Sequence, residues 1–195
     1  MPRSKIPAVI LAGGASHRMG EDKALLPFGG FGSLAEYQYR RLKGLFPRVY
    51  LSAKEGKFSF DAPLLKDRSG EYSPLIALES ILEGLEDEEI FVLGVDMPLL
   101  SLRQIQALLS FARSHPEAPA VACAGPGGAE PLCALYRRRI LPLLKELLSE
   151  DTHRLRELLR RAGAPLLSVA DPAELANLNR PEEYREAFRA LPDPL

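Results

Sequence analysis

Asparagine is almost absent from this chain: Asn177 and Asn179 are its only two among 195 residues. Glutamine is scarce too, and depletion of heat-labile amides beside abundant Pro, Arg, Leu and Glu is a pattern of heat-stable proteins. A close pair of asparagines in such a chain points to a local requirement. Cysteine is equally rare. Cys123 and Cys133 are too few for a disulfide framework or a zinc site, and their placement on predicted strands reads as core packing. Apolar runs such as Ile90–Leu93 are far too short to span a bilayer. The basic residues near Met1 lead straight into Gly13–Gly14 with no small-residue cleavage site, so no signal peptide is expected and the cytoplasm is the default. A formal net charge of −1 excludes a global basic field, so neither nucleic acid nor a membrane is an expected partner.

What is present is ordinary globular material, 46% hydrophobic and 26% charged, in a length that favours one domain. We read 1–100 as a nucleotide-binding half and 101–195 as an acceptor-substrate half. Ile6–Leu11 is a doubly buried strand ended by Gly13–Gly14. Ser33–Phe46, Ser73–Leu85 and Ser101–Arg113 are amphipathic helices, each opened by a serine cap. Val49–Ser52, Pro63–Leu65 and Ile90–Gly94 are strands. Ala118–Ala124 and Pro131–Tyr136 are strands around a glycine-rich loop, Gly125–Glu130, expected to be a turn or mobile segment. Helices follow at Arg138–Leu148 and Thr152–Ala162, short strands at Leu166–Val169 and Ala176–Leu178, and a closing helix at Pro181–Leu191. The alternation implies an α/β fold, with a doubly wound, mostly parallel sheet, helices on both faces, and a small antiparallel addition in the C-terminal half. In such sheets ligands sit beyond the carboxyl ends of the strands.

Two segments fall at those ends. Leu11-Ala12-Gly13-Gly14 runs into a loop carrying Arg18 and Lys23. It is neither a P-loop nor the dinucleotide fingerprint, because the required spacings are missing. Adjacent glycines admit a base or phosphate close to the backbone, and two cations in the same turn suit a polyphosphate. Asp96 follows the strand Ile90–Gly94, where a carboxylate can hold magnesium together with substrate phosphate and water. Asn179 offers a neutral oxygen and reads equally as a metal ligand or a helix cap. Asp67, between Lys66 and Arg68, is a ribose or base contact or else an exposed ion pair. His17 is read as a bystander, and His115 and His153 as surface positions. The arginines at 137–139, 154, 156, 160 and 161 are solvated helix faces or the rim of a pocket for a bulky anion.

Taken in order, Leu11–Leu26, Ser73–Leu78, Gly94-Val95-Asp96-Met97-Pro98, Pro131-Leu132-Cys133-Ala134-Leu135-Tyr136 and Asn177–Glu183 resemble the molybdenum cofactor guanylyltransferase (MobA) family over almost the whole chain. The resemblance implies a nucleotide-diphospho-sugar transferase-like fold and magnesium-dependent transfer of GMP from GTP to molybdopterin, releasing pyrophosphate. It places guanine on Leu11, Ala12, Gly13 and Gly14, Ser52 near the base, and Asp67 on the nucleoside side. Arg18 and Lys23 then face the phosphates, and Asp96 the magnesium. Molybdoenzyme apoproteins or their chaperones become the protein partners. The departures are Ser73, where the family usually has glycine, and Ser52, where asparagine is common. Competing readings are a cytidylyltransferase on the same pterin, a sugar-1-phosphate nucleotidyltransferase, and a nucleotide-binding cofactor carrier without chemistry.

Overall fold

The computed structural model describes residues 5–13, 22–66, 73–178, 183–184 and 187. Seven strands form one sheet: β1 (Ala8–Leu11), β2 (Val49–Ala53), β3 (Leu64–Lys66), β4 (Glu89–Gly94), β5 (Ala120–Gly125), β6 (Gly128–Arg137) and β7 (Leu166–Ser168), in the order β3-β2-β1-β4-β6-β5-β7. Pairings are parallel except those of β6, which runs antiparallel to both β4 and β5. The antiparallel strand expected in the C-terminal half is therefore inserted inside the sheet rather than added at its margin.

Period-two burial drives the layering. Ala8 and Ile10 of β1, with Phe91 and Leu93 of β4, face one apolar cluster. It is covered by α1 (Leu34–Lys43) and α3 (Leu102–Arg113) through residues such as Leu42, Ile105 and Leu108. Val9, Leu11, Ile90 and Val92 face the opposite cluster, built on α2 (Pro74–Gly84), α4 (Leu141–Ser149) and α5 (Leu155–Arg161). The sheet is wound on both faces, as the alternation predicts. Cys123 and Cys133 are free, fully buried thiols within the first cluster.

The helix starts follow from their caps. Ser33 Oγ accepts from Glu36 N at 3.1 Å, Ser101 Oγ from Gln104 N at 3.1 Å, and Ser73 Oγ from Ile76 N at 3.5 Å with Pro74 in the first turn. Each cap satisfies an orphan donor and contributes about 1 kcal/mol.

One expectation is met more tightly than its bounds, and one fails. The segment 125–130 holds a turn, but a short one: β5 and β6 pair out to Gly125 and Gly128, leaving Pro126 and Gly127 as a two-residue turn. Gly128 accommodates that turn with a φ of 88°, which an L side chain resists. Ala176–Leu178 is not a strand; Leu178 is buried, and its N–H donates to Asp96 O at 2.8 Å instead. Of the predicted closing helix Pro181–Leu191, residues 183, 184 and 187 are described and helical. Tyr184 meets Phe28 edge-on at 5.3 Å between ring centroids, so the chain returns to the β1 end of α1.

Candidate functional site

β1 lies between β2 and β4, and the chain leaves β1 toward β2 and β3 before crossing back to β4. This reversal creates a crevice beyond the carboxyl ends of β1 and β4, the usual ligand position in open α/β sheets. Three register partners define its floor: Leu11 lies beside Ser52 on one side and Gly94 on the other. Just past them, Ala12 N donates to Ser52 O at 2.9 Å and Val95 N to Leu11 O at 3.0 Å. Ser52 is fully buried and reaches this floor through its backbone carbonyl.

Asp96 stands on the first turn after β4. Its Oδ1 lies back over Gly94, where an added Cβ would come within 2.8 Å of that oxygen and 3.2 Å of Leu132 Cβ. Glycine at 94 is thus required by close approach, not by backbone conformation. Burial pushes the Asp96 carboxyl above the ordinary carboxylate range; the Lys23 ammonium and the residue's own backbone N–H pull it part of the way back. Lys23 opens a short 3-10 turn, Lys23–Leu25, capped by Asp22, whose Oδ1 accepts from Ala24 N at 3.0 Å. A cation from the segment after β1 and a carboxylate from the segment after β4 therefore share one electrostatic environment.

The loop carrying Asp96 is held from α1. Arg41, buried on the helix stripe, donates to Pro98 O at 2.7 Å, to Leu100 O, and to Gln38 Oε1 at 3.0 Å. Gln38 Nε2 in turn reaches Val95 O at 3.4 Å. Burial lowers the proton affinity of Arg41, with the Tyr37 ring beneath its guanidinium opposing that effect. On the other flank, Glu130 at the start of β6 accepts from Leu132 N at 3.3 Å. Burial raises its proton affinity; the Leu132 N–H and the Arg156 charge oppose this, the Asp96 charge adds to it, and the Asn177 side chain hydrogen-bonds to it. Arg156 Nη1 donates to Gly127 O at 3.0 Å, which fixes it beside the same turn.

Of the residues singled out from sequence, Leu11, Ala12, Gly13, Lys23, Ser52 and Asp96 gather at this crevice. Gly14, Arg18, Asp67 and Asn179, with the bystander His17, lie outside the described residues. Asn177, immediately before the Leu178–Asp96 bond, supplies one local use for the asparagine pair. His153 is less of a surface residue than expected, since its Nδ1 meets Ser73 Oγ at 3.1 Å at the start of α2. Sequence reasoning missed Arg41, Glu130 and Lys57. Arg41 did carry a signal: a charged residue on the stripe that also holds Leu34, Gln38 and Leu42 needs partners. Glu130 and Lys57 carried none, because their positions depend on pairing between distant segments.

Hard carboxylate and amide oxygens meet at the crevice, while among the described residues no group of three or more His, Cys, Asp or Glu could hold a metal. A cation that keeps its waters and borrows phosphate oxygens needs only one or two protein carboxylates. Among the described residues no helix is long and apolar enough to cross a membrane.

Comparison with known proteins agrees with this geometry. The family model described as MobA-like NTP transferase domain matches residues 8–166. A molybdenum cofactor guanylyltransferase of Campylobacter jejuni is 32% identical over 192 residues, covering 97% of this chain and 98% of its own. One from Helicobacter pylori is 32% identical over 194 residues, covering 96% and 90%. Molybdopterin-guanine dinucleotide biosynthesis protein A from Archaeoglobus fulgidus superposes with a TM-score of 0.79 over 94% of this chain and 97% of its own, at 16% identity, which speaks to the fold alone.

Proposed function

This chain belongs to the MobA-like NTP transferase family, and from that membership we propose that it transfers GMP from GTP to the terminal phosphate of molybdopterin and releases pyrophosphate. The observation that carries the reading is the shared field of Lys23 and Asp96 at the crevice between β1 and β4. A polyphosphate lying there meets a cation on one side and a metal-binding carboxylate on the other.

The acceptor phosphate is already anionic, so the reaction needs no protein general base. A new P–O bond forms between a pterin phosphate oxygen and the α-phosphorus, and the bond from the α-phosphorus to the bridging oxygen breaks as pyrophosphate departs. Lys23, with Arg18, stabilises the charge that builds on the departing group. Asp96 would hold magnesium, with Asn179 as a second candidate ligand; the ion supplies Lewis-acid charge neutralisation to the phosphates. Guanine is read by backbone groups at Leu11–Gly14. The Ala12 N–H is already taken by Ser52 O and is not among them. The pterin approaches over 101–195, where Glu130 and Arg156 line the near wall. A cytoplasmic location, where nucleoside triphosphates are abundant, fits this reaction, and molybdoenzyme apoproteins or their chaperones would receive the product.

Thermal-shift measurements with GTP, CTP, ATP and UTP in the presence of magnesium test the base assignment. GTP is expected to raise the melting temperature most, and preferential stabilisation by CTP would reverse it. Magnesium-dependent pyrophosphate release from GTP and molybdopterin then separates transfer from carriage; tight binding with no pyrophosphate would make the chain a carrier.

A further inference from the structure

Lys57 belongs to the connection between β2 and β3, a segment with no part in the chemistry above, yet its side chain reaches the end of β1. Its Nζ donates to Ala12 O at 2.9 Å, across 45 positions of sequence. The same ammonium pairs with the Asp22 carboxylate, 35 positions away, on the oxygen not used to cap the Lys23 turn. Both partners are sheltered, with 17% of the Lys57 side chain and 29% of the Asp22 side chain exposed. The Phe58 ring, 5.6 Å from Nζ, covers the ammonium further.

We propose that Lys57 is a positioning residue for nucleotide binding, tying Ala12 and Asp22 together so that the Ala12–Gly13 peptide and the Lys23 ammonium are set before the nucleotide arrives. The inference rests on the assignment of Ala12, Gly13 and Lys23 to the triphosphate. Two physical consequences give it content. Ala12 has both backbone polar groups occupied, its N–H by Ser52 O and its C=O by Lys57. The Ala12–Gly13 peptide, which carries that C=O, therefore cannot flip away from the base-reading orientation without losing the Lys57 hydrogen bond. Asp22, moreover, is an anion next to the cation meant for phosphate. With Lys57 beside it the Asp22 charge is neutralised; without Lys57 the charge stands against an incoming polyphosphate. An exposed ion pair would contribute little, but this one is sheltered and charge-assisted, and it joins three separate segments.

The two consequences predict different rescues, which separates positioning from mere structural support. Lys57→Met should raise the KM for GTP about tenfold, the scale of ordering one such contact on binding, with kcat within about threefold of wild type. Lys57→Arg should stay within about threefold in KM, since it keeps the charge and two donors. Adding Asp22→Asn to Lys57→Met should recover part of the lost affinity, because the unpaired anion is gone. A Lys57→Met KM within twofold of wild type, or a double variant no better than Lys57→Met alone, overturns the proposal. If Lys57→Met melts too early to assay, the Lys57→Arg KM and the Lys57→Gln KM decide: the first unchanged and the second raised supports the tie, any other pairing overturns it. Lys23→Ala run in parallel isolates the premise. Unchanged GTP binding in Lys23→Ala would remove the nucleotide assignment itself, whereas lost binding there with an intact Lys57→Met removes only the role of Lys57.

Discussion

A buried arginine braces each end of the sheet, and the two are partnered differently. At the crevice end, Arg41 gives its hydrogen bonds to the carbonyls of Pro98 and Leu100 and to the Gln38 amide. At the opposite end, Arg137 holds Ala112 O at 3.0 Å and His115 O at 2.8 Å, and adds an ion pair to Glu89 at 2.7 Å. The distal brace is neutralised within the protein. The crevice brace binds neutral oxygens, and the nearby carboxyl of Asp96 keeps a raised proton affinity. One end of the sheet is electrostatically complete, while the other is left to be completed by a charged ligand.

The sharpest test finishes the charge balance artificially. Asp96→Asn should cut turnover on the order of 10²–10³, the usual cost of losing one preorganised electrostatic group. The same change should raise the melting temperature of the ligand-free protein at neutral pH. Burial makes the folded chain hold the Asp96 proton more tightly than the unfolded chain does, so the penalty on folding grows as pH rises above the ordinary value of 3.8. The gain in melting temperature should therefore close as the pH is lowered toward that value. A variant less stable than wild type at pH 7 would contradict the incomplete-charge picture.

Replacing each brace comes next in size. Arg41→Met strips donors from the carbonyls of Pro98 and Leu100, and Arg137→Met from that of Ala118, while Ala112 O and His115 O keep backbone donors; each group left bare costs roughly 1–3 kcal/mol. Both should therefore unfold at lower denaturant concentrations. Their activities should diverge, because the Arg41 change releases the loop bearing Asp96 while the Arg137 change acts at the far end. Equal loss of turnover per folded molecule would erase the distinction between the ends. The smallest effect belongs to Gly94→Ala, where the added methyl meets Asp96 Oδ1 and Leu132. Overpacking of this kind costs about 1–3 kcal/mol. A turnover loss with a melting temperature lowered by a few degrees is expected, and unaltered turnover would show that the carboxylate has room to move.

The layering was legible from sequence because it is written in local periodicity. Continuous apolar runs at β1 and β4 and three serine-capped stripes required a sheet covered on both faces. Lys23 and Asp96 were legible because each lies in the segment that leaves a buried strand, Asp96 just past β4 and Lys23 at the end of the glycine-rich stretch after β1, where open α/β sheets place their ligands. The interior position of β6 was not legible, since strand order depends on pairings among segments far apart in the chain. Lys57 escaped for the same reason: a lysine in a connection looks solvated until its partners, 45 and 35 positions off, are known. The turn at 126–127 was legible from its three glycines, but its tightness was not, since that depends on how far β5 and β6 pair.

The reversed direction of β6 has one further result. A strand entering the sheet against its neighbours places its first residues, not its last, at the crevice, which is how Glu130 comes to stand near Asp96. The hairpin tip at Pro126–Gly127 thereby stands on the side proposed for the acceptor, and its length can be altered independently of the β1 segment. Chain length at that tip is a place where relatives could change the bulk of the group they accept while leaving triphosphate handling intact.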